Sequence, residues 1–322
     1  MFAAALLCSA HVLAAAVPWS RVLDQPREWY GTSEAQAVAD AVRGWQRADG
    51  GWPKNIDMTV PPRPGSPPVP EPPDSTIDNG ATVTQIRLLD RVFAAAARPR
   101  DRDAATAGLD YLLAAQYTNG GWPQVYPLRQ DYSRRITFND EAMTNVLTLL
   151  EDIARDRALT FLDDAGRRRA RDAIELAEPM ILRAQIRVNG RLTAWCAQHD
   201  EVTLEPRPAR TYEHASLSGR ESVEIVRFLM RRPARPGTIA AVNAAVEWFR
   251  TTRLPDGRWA RFYEIGTNRP IYSGRDGIVR YDISEIEAER RNGYAWLGDW
   301  PRELLEVDYP RWRGGLSESR AR

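Results

Sequence analysis

Lysine, histidine and cysteine are scarce in this sequence. Of 322 residues, Lys54 is the only lysine, His11, His199 and His214 are the only histidines, and Cys8 and Cys196 are the only cysteines. Arginine makes up the basic side: 44 basic residues meet 43 acidic ones, for a net charge of +1. Such a balance excludes a nucleic-acid binder that works through bulk charge. The arginine bias is a property of the whole chain and singles out no individual Arg. No HExxH, CxxC, P-loop or GxSxG motif occurs. With so few histidines, zinc chemistry and a Ser-His-Asp hydrolase find no support. No apolar run reaches the ~20 residues that span a bilayer, so no membrane span is expected. Residues 1–16 carry no Asp, Glu, Lys or Arg and end in small residues. Despite lacking a basic start they read as an export signal, which implies a secreted or periplasmic protein. Cleavage would remove Cys8 and leave Cys196 alone, so no intramolecular disulfide is expected.

Apolar residues make up 43% of the chain and charged ones 27%, enough for a sizeable core and against disorder. Four segments share one shape, a helical run, a Gly-rich turn and then a tryptophan: GWQRADGGW (Gly44 to Trp52), AQYTNGGW (Ala115 to Trp122), NGRLTAW (Asn189 to Trp195) and DGRW (Asp256 to Trp259). The tryptophans are 70, 73 and 64 residues apart, and a period near 70 is one helical hairpin with its connections. Apolar residues recur three or four apart over 81–97, 141–154, 165–184, 222–230 and 238–251, the spacing of amphipathic helices. Period-two alternation is poor; residues 258–264 are the best strand candidate. The expected fold is all-α, an α/α toroid of repeated hairpins with little or no β-structure. It forms a single domain over 17–312, with a Pro-rich surface loop at 61–73 and a frayed tail at 313–322.

A toroid brings every second interhelical loop to one face. Asp78-Asn79 and Asn139-Asp140-Glu141 precede two inner helices, RTYEHASLSGR (Arg210 to Arg220) a third, and Arg275-Asp276 with Asp282 a helix expected from about Ser284. Two acidic loops facing two Arg-bearing loops suit a cation and an anionic ligand together. Taken singly, Asp78, Asn79 and Asp140 are equally good helix caps. Each Arg is as readily a surface ion-pair partner, and the Trp turns are as readily packing anchors. Asp163-Asp164 reads as a cap.

Between Gly50 and Trp300 the sequence resembles the family 10 polysaccharide lyases, bacterial pectate lyases. The resemblance is carried by GGWPKNIDM (50–58), STIDNGATVTQI (75–86), NGGWPQVYP (119–127), ITFNDEAM (136–143), PARTYEHASLSGRESVEIVRFLM (208–230) and RFYEIGTNRPIYSGRDGIVRYDISEIEAERRNGYAWLG (261–298). It implies Ca²⁺-dependent β-elimination of polygalacturonate on an α/α toroid. By resemblance, Asp78, Asn79 and Asp140 hold Ca²⁺, with Asp78 also near the substrate carboxylate. Arg210 matches the family's base at C5, its charged form disfavoured by Ca²⁺ and burial. Arg261 and Arg275 pair with uronate carboxylates, and Lys54 is a further candidate for that work. The expected partner is polygalacturonate or its oligomers, acted on by a monomer. Arg220 after LSG, and His214 in YEHAS where relatives read YELPS, depart from the family pattern beside the base. Two other readings remain open. A terpene-cyclase-like toroid shares the Gln-x3-Gly-x-Trp pattern at Gln46 to Trp52 and Gln116 to Trp122, but the chain lacks a DxDD or DDxxD signature. A non-catalytic oligogalacturonate-binding protein would keep the fold and lose the chemistry, against which stands the retention of Arg210 with both acidic loops.

Overall fold

Seven helices of about three to six turns build the chain: α1 Ser33–Trp45, α2 Val83–Ala96, α3 Pro99–Ala115, α4 Ala142–Ala154, α5 Asp164–Ala184, α6 Glu221–Arg231 and α7 Pro236–Thr251; all but α1 and α3 lie on the stretches of apolar spacing. The computed structural model describes residues 17–63, 74–155 and 159–321; residues 1–16 and most of the Pro-rich stretch, 64–73, lie outside them. Starts are set by local chemistry. Thr32 caps α1 by accepting from the Ala35 N–H, and Asp163 caps α5 through Gly166. Pro99 and Pro236 open α3 and α7, where a missing N–H costs nothing. Among the described residues strands are confined to two-residue pieces in antiparallel pairs, including Trp259–Ala260 and Phe262–Tyr263 within the stretch favoured for a strand.

The helices form an α/α toroid. Among them α2, α4 and α6 touch in succession as the inner layer, and α1, α3, α5 and α7 touch in succession as the outer one. Each outer helix ends in a Trp turn. Trp52, Trp122, Trp195 and Trp259 are at most 1% exposed. Each indole N–H donates, at 2.7–2.8 Å, to a carbonyl of its own outer helix: Val42, Leu112, Ile181 and Phe249. The turns need glycine where the chain crosses the next outer helix. Gly50 and Gly120 have φ of +92° and +103°, and a Cβ there would sit 2.3 and 2.2 Å from the Ala107 and Leu176 carbonyl oxygens.

The Gln-x3-Gly-x-Trp pattern has a structural explanation. Gln46, Gln116 and Gln185 follow α1, α3 and α5. Each side-chain amide donates to its own turn, at Gly50, Gly120 and Thr193, and to the next outer helix, at Ala104, Ala173 and Ala241. After α7 the position is Thr252, whose hydroxyl bonds back to Trp248.

The fourth repeat departs from expectation. Its return strand, Leu297–Gly298, pairs with Trp259–Ala260, and the helical run that follows, Pro301–Glu303 and Leu304–Asp308, packs on α6. The segment between Tyr263 and Trp296 is therefore an insertion. Residues from Ser284 form only a short 3-10 turn, Ile283–Glu285, and a five-residue helix, Ala288–Asn292. The tail expected to fray after Trp312 continues the helix Tyr309–Ala321, with Tyr309 and Trp312 packed against the core at its start.

Candidate active site

Each Trp turn is followed by a return strand that leads into an inner helix. Thr76 donates to the Trp52 carbonyl, Thr137 to Trp122 and Ser218 to Trp195; one residue on, Ile77, Phe138 and Gly219 donate to Gln124, Ala197 and Arg261 of the next repeat. These bonds set a ring register. Residues two after each tryptophan, Lys54, Gln124, Ala197 and Arg261, alternate with the loops that open α2, α4 and α6. Asn79 and Asp140 hold the same place in their loops, both left-handed with φ of 51° and 48°. Asn and Asp tolerate that region, and such strain is characteristic of functional loops.

The loops line a cleft of about 160 Å³ that contains Lys54, Asp78, Asn79, Asp140, Arg210 and Glu213. Asp78 is buried. Lys54 and the Gln124 amide (2.6 Å) both take its Oδ2, while Oδ1 accepts only the Asn79 N–H at 3.0 Å. Asp140 divides its oxygens likewise: Arg220 and Arg261 each donate to Oδ1 at 3.0 Å, and the Asn139 amide takes Oδ2 at 2.7 Å. Burial raises the Asp140 pKa, but the two guanidiniums outweigh it and hold the carboxyl below its usual range. Each carboxylate thus keeps one oxygen clear of protein cations. The donors are all hard oxygens, and the Gln124 Oε1 in the same cleft is buried without a hydrogen-bond partner. This set fits a hard cation such as Ca²⁺, which takes 6–8 oxygens. Among the described residues no three Asp, Glu, His or Cys gather into a ready-made cage, so a cation held here would need further oxygens.

Arg210 lies in the cleft with its side chain 41% exposed. Its Nε and Nη2 fork onto Glu213 at 2.9 and 2.5 Å, and it stacks against Tyr212 and Tyr294 at 5.0 and 5.9 Å. Tyr294 donates to the same carboxylate at 2.8 Å. Burial does lower the Arg210 pKa, as expected, but the Glu213 ion pair outweighs it and the net direction is up. Glu213 thus favours the charged form of Arg210, against the expected effect of burial.

Arg261 also departs from expectation. Its side chain is 3% exposed and bonds Glu221 (2.5 Å), Asp140 (3.0 Å) and Asn139 (3.2 Å). These contacts brace the Asp140 loop. Arg275 is not brought into the cleft. It belongs to the insertion of the fourth repeat, is 66% exposed and pairs with Glu289. Arg220, noted only as a departure from the pattern, reaches Asp140. Gln124, Glu213, Glu221 and Tyr294 were missed. The Trp-plus-two register would have pointed to Gln124 through its equivalence with Lys54.

The family model described as pectic acid lyase matches residues 46–258 and 255–305. A family 10 polysaccharide lyase from Cellvibrio cellulosa is 36% identical, with a TM-score of 0.79 over 88% of this chain and 94% of that one. An aspartate-to-alanine mutant of the Cellvibrio lyase, in complex with trigalacturonic acid, is 34% identical, with a TM-score of 0.79 over 90% and 98%. No curated protein sequence matches. The chain belongs to the pectic acid lyase family and is a polysaccharide lyase of the family 10 type.

Proposed function

We propose that the chain cleaves α-1,4-polygalacturonate in this cleft by Ca²⁺-dependent β-elimination, with Arg210 as the base. The observation that carries the reading is the charge balance of the cleft and its supports. Four cations, Lys54, Arg210, Arg220 and Arg261, face five carboxylates, Asp78, Asp140, Glu141, Glu213 and Glu221, through direct contacts. A uronate adds negative charge to a site where carboxylates already outnumber cations, and a bound divalent cation offsets it. The complex of the Cellvibrio relative with trigalacturonic acid supports a substrate of that class.

Asp78, Asn79 and Asp140 would hold the cation. When bound, it withdraws charge from the uronate carboxylate and so acidifies the C5 proton. Lys54, 31% exposed and in contact with Asp78, would meet a substrate carboxylate. Arg275 does so only for sugars reaching the rim. Arg210, once neutral, takes the proton from C5. The C5–H electron pair becomes the C4=C5 double bond, the C4–O4 bond breaks, and O4 leaves with a proton from water. Arg210 must first give up the proton that Glu213 stabilises, so the rate should rise toward alkaline pH. Export rests on residues 1–16. No helix among the described residues is long and apolar enough to cross a membrane.

The cation is tested by chelation. EDTA should abolish cleavage and Ca²⁺ should restore it better than Mg²⁺, which demands a tighter octahedron and releases water reluctantly. Full activity in excess chelator would remove the metal from the reading.

A further inference from the structure

The cleft of about 160 Å³ lies below the ~300–1,000 Å³ typical of ligand pockets. It holds only part of an oligosaccharide. Beside it runs a groove of about 440 Å³. Tyr132 lines both spaces, and the segment that brings Arg210 into the cleft lines the groove with Arg207 and Pro208.

The groove is polar, and its carboxylates are engaged. Asp131 accepts from the Ser133 N–H and hydroxyl, Asp200 from Arg207 and two backbone N–H groups, and Glu201 pairs with Arg134 at 2.7 Å. Arg135 differs. Among the described residues its guanidinium has no ion pair and no hydrogen bond, and its Nη1 is buried without a partner. A guanidinium left unpaired where three carboxylates lie nearby is available to an incoming acid, and its fork matches a carboxylate.

We propose that this groove is an outer uronate subsite in which Arg135 receives the carboxylate of a galacturonate beyond those held in the cleft. The proposal rests on the functional reading above and assigns it a chain-length preference. Lyase activity and binding separate the two. Binding of tri- and hexagalacturonate is measured by calorimetry on Arg210→Ala protein, where turnover is suppressed, with and without Arg135→Ala. Arg135→Gln serves as a second variant that keeps most of the bulk, and exposed Arg250→Ala on α7 as a control for lost charge. Thermal melts check folding. Either Arg135 change should weaken the hexamer about tenfold, the scale of one charged hydrogen bond, and the trimer far less; Arg250→Ala should change neither. A hexamer affinity untouched by both Arg135 changes, or a trimer weakened equally, overturns the subsite. Wild-type protein that binds the hexamer in an Arg135-dependent way but makes no unsaturated product overturns the functional reading alone. Failure of the hexamer to bind at all overturns both.

Discussion

At the scale of single residues, Arg210 and Glu213 carry the central tension. A base must be neutral when it takes a proton, yet Glu213 forks onto Arg210 and favours its charged form. On the proposed mechanism Glu213 positions the guanidinium and also sets the pH at which it works. Glu213→Gln removes the charge and keeps the shape. The Arg210 pKa then falls, and the rising limb of the pH–rate profile should move to lower pH by about one unit or more, the usual effect of one close charge. The maximal rate drops as half the fork is lost. A rising limb that stays in place or moves to higher pH would mean that Glu213 does not govern the base. In the sequence, Glu213 of YEHAS lies three residues after Arg210, but i,i+3 spacing in a loop does not show which pairs meet. Asp78, Asn79, Asp140 and Arg210 were legible as candidates. The burial of Arg261 beneath Asp140 was not, because only the fold shows which side of a loop an Arg approaches.

At the scale of elements, the Gln–Trp turns join each outer helix to the next. Gln116 spans α3, its turn and α5 with two hydrogen bonds of 3.1 and 2.9 Å. Gln116→Ala leaves both carbonyls without that donor. It should cost about 1–3 kcal/mol, the price of unsatisfied buried polar groups, read as a lower denaturant midpoint at constant m. An unchanged midpoint would show that the tie is dispensable. Three of the inner-helix starts were legible from apolar spacing with the preceding Asp, Asn or Arg. The fourth was misplaced because Arg275, Asp276 and Asp282 imitate the same signal inside an insertion. The Asp282 cap is real, accepting from the Ser284 N–H at 2.8 Å, but it opens only a single turn. A cap shows where a helix begins and says nothing of how long it runs.

At the scale of the whole molecule, the ring turns a sequence period near 70 residues into a site. Residues far apart in the chain, such as Asp140 and Arg261, are brought together because each repeat returns to the same face. That closure was legible from the four Trp turns. The charge pairing inside the ring was not, since it depends on the register between repeats. The most direct test of β-elimination at this face follows the ultraviolet absorbance of 4,5-unsaturated product from polygalacturonate with Ca²⁺, for wild type and Arg210→Ala. Wild type should generate the absorbance at a rate that increases with pH, and Arg210→Ala should be slower by ~10²-fold or more, the lower range for losing a general base. Chain cleavage without that absorbance, or Arg210→Ala at the wild-type rate, would contradict it.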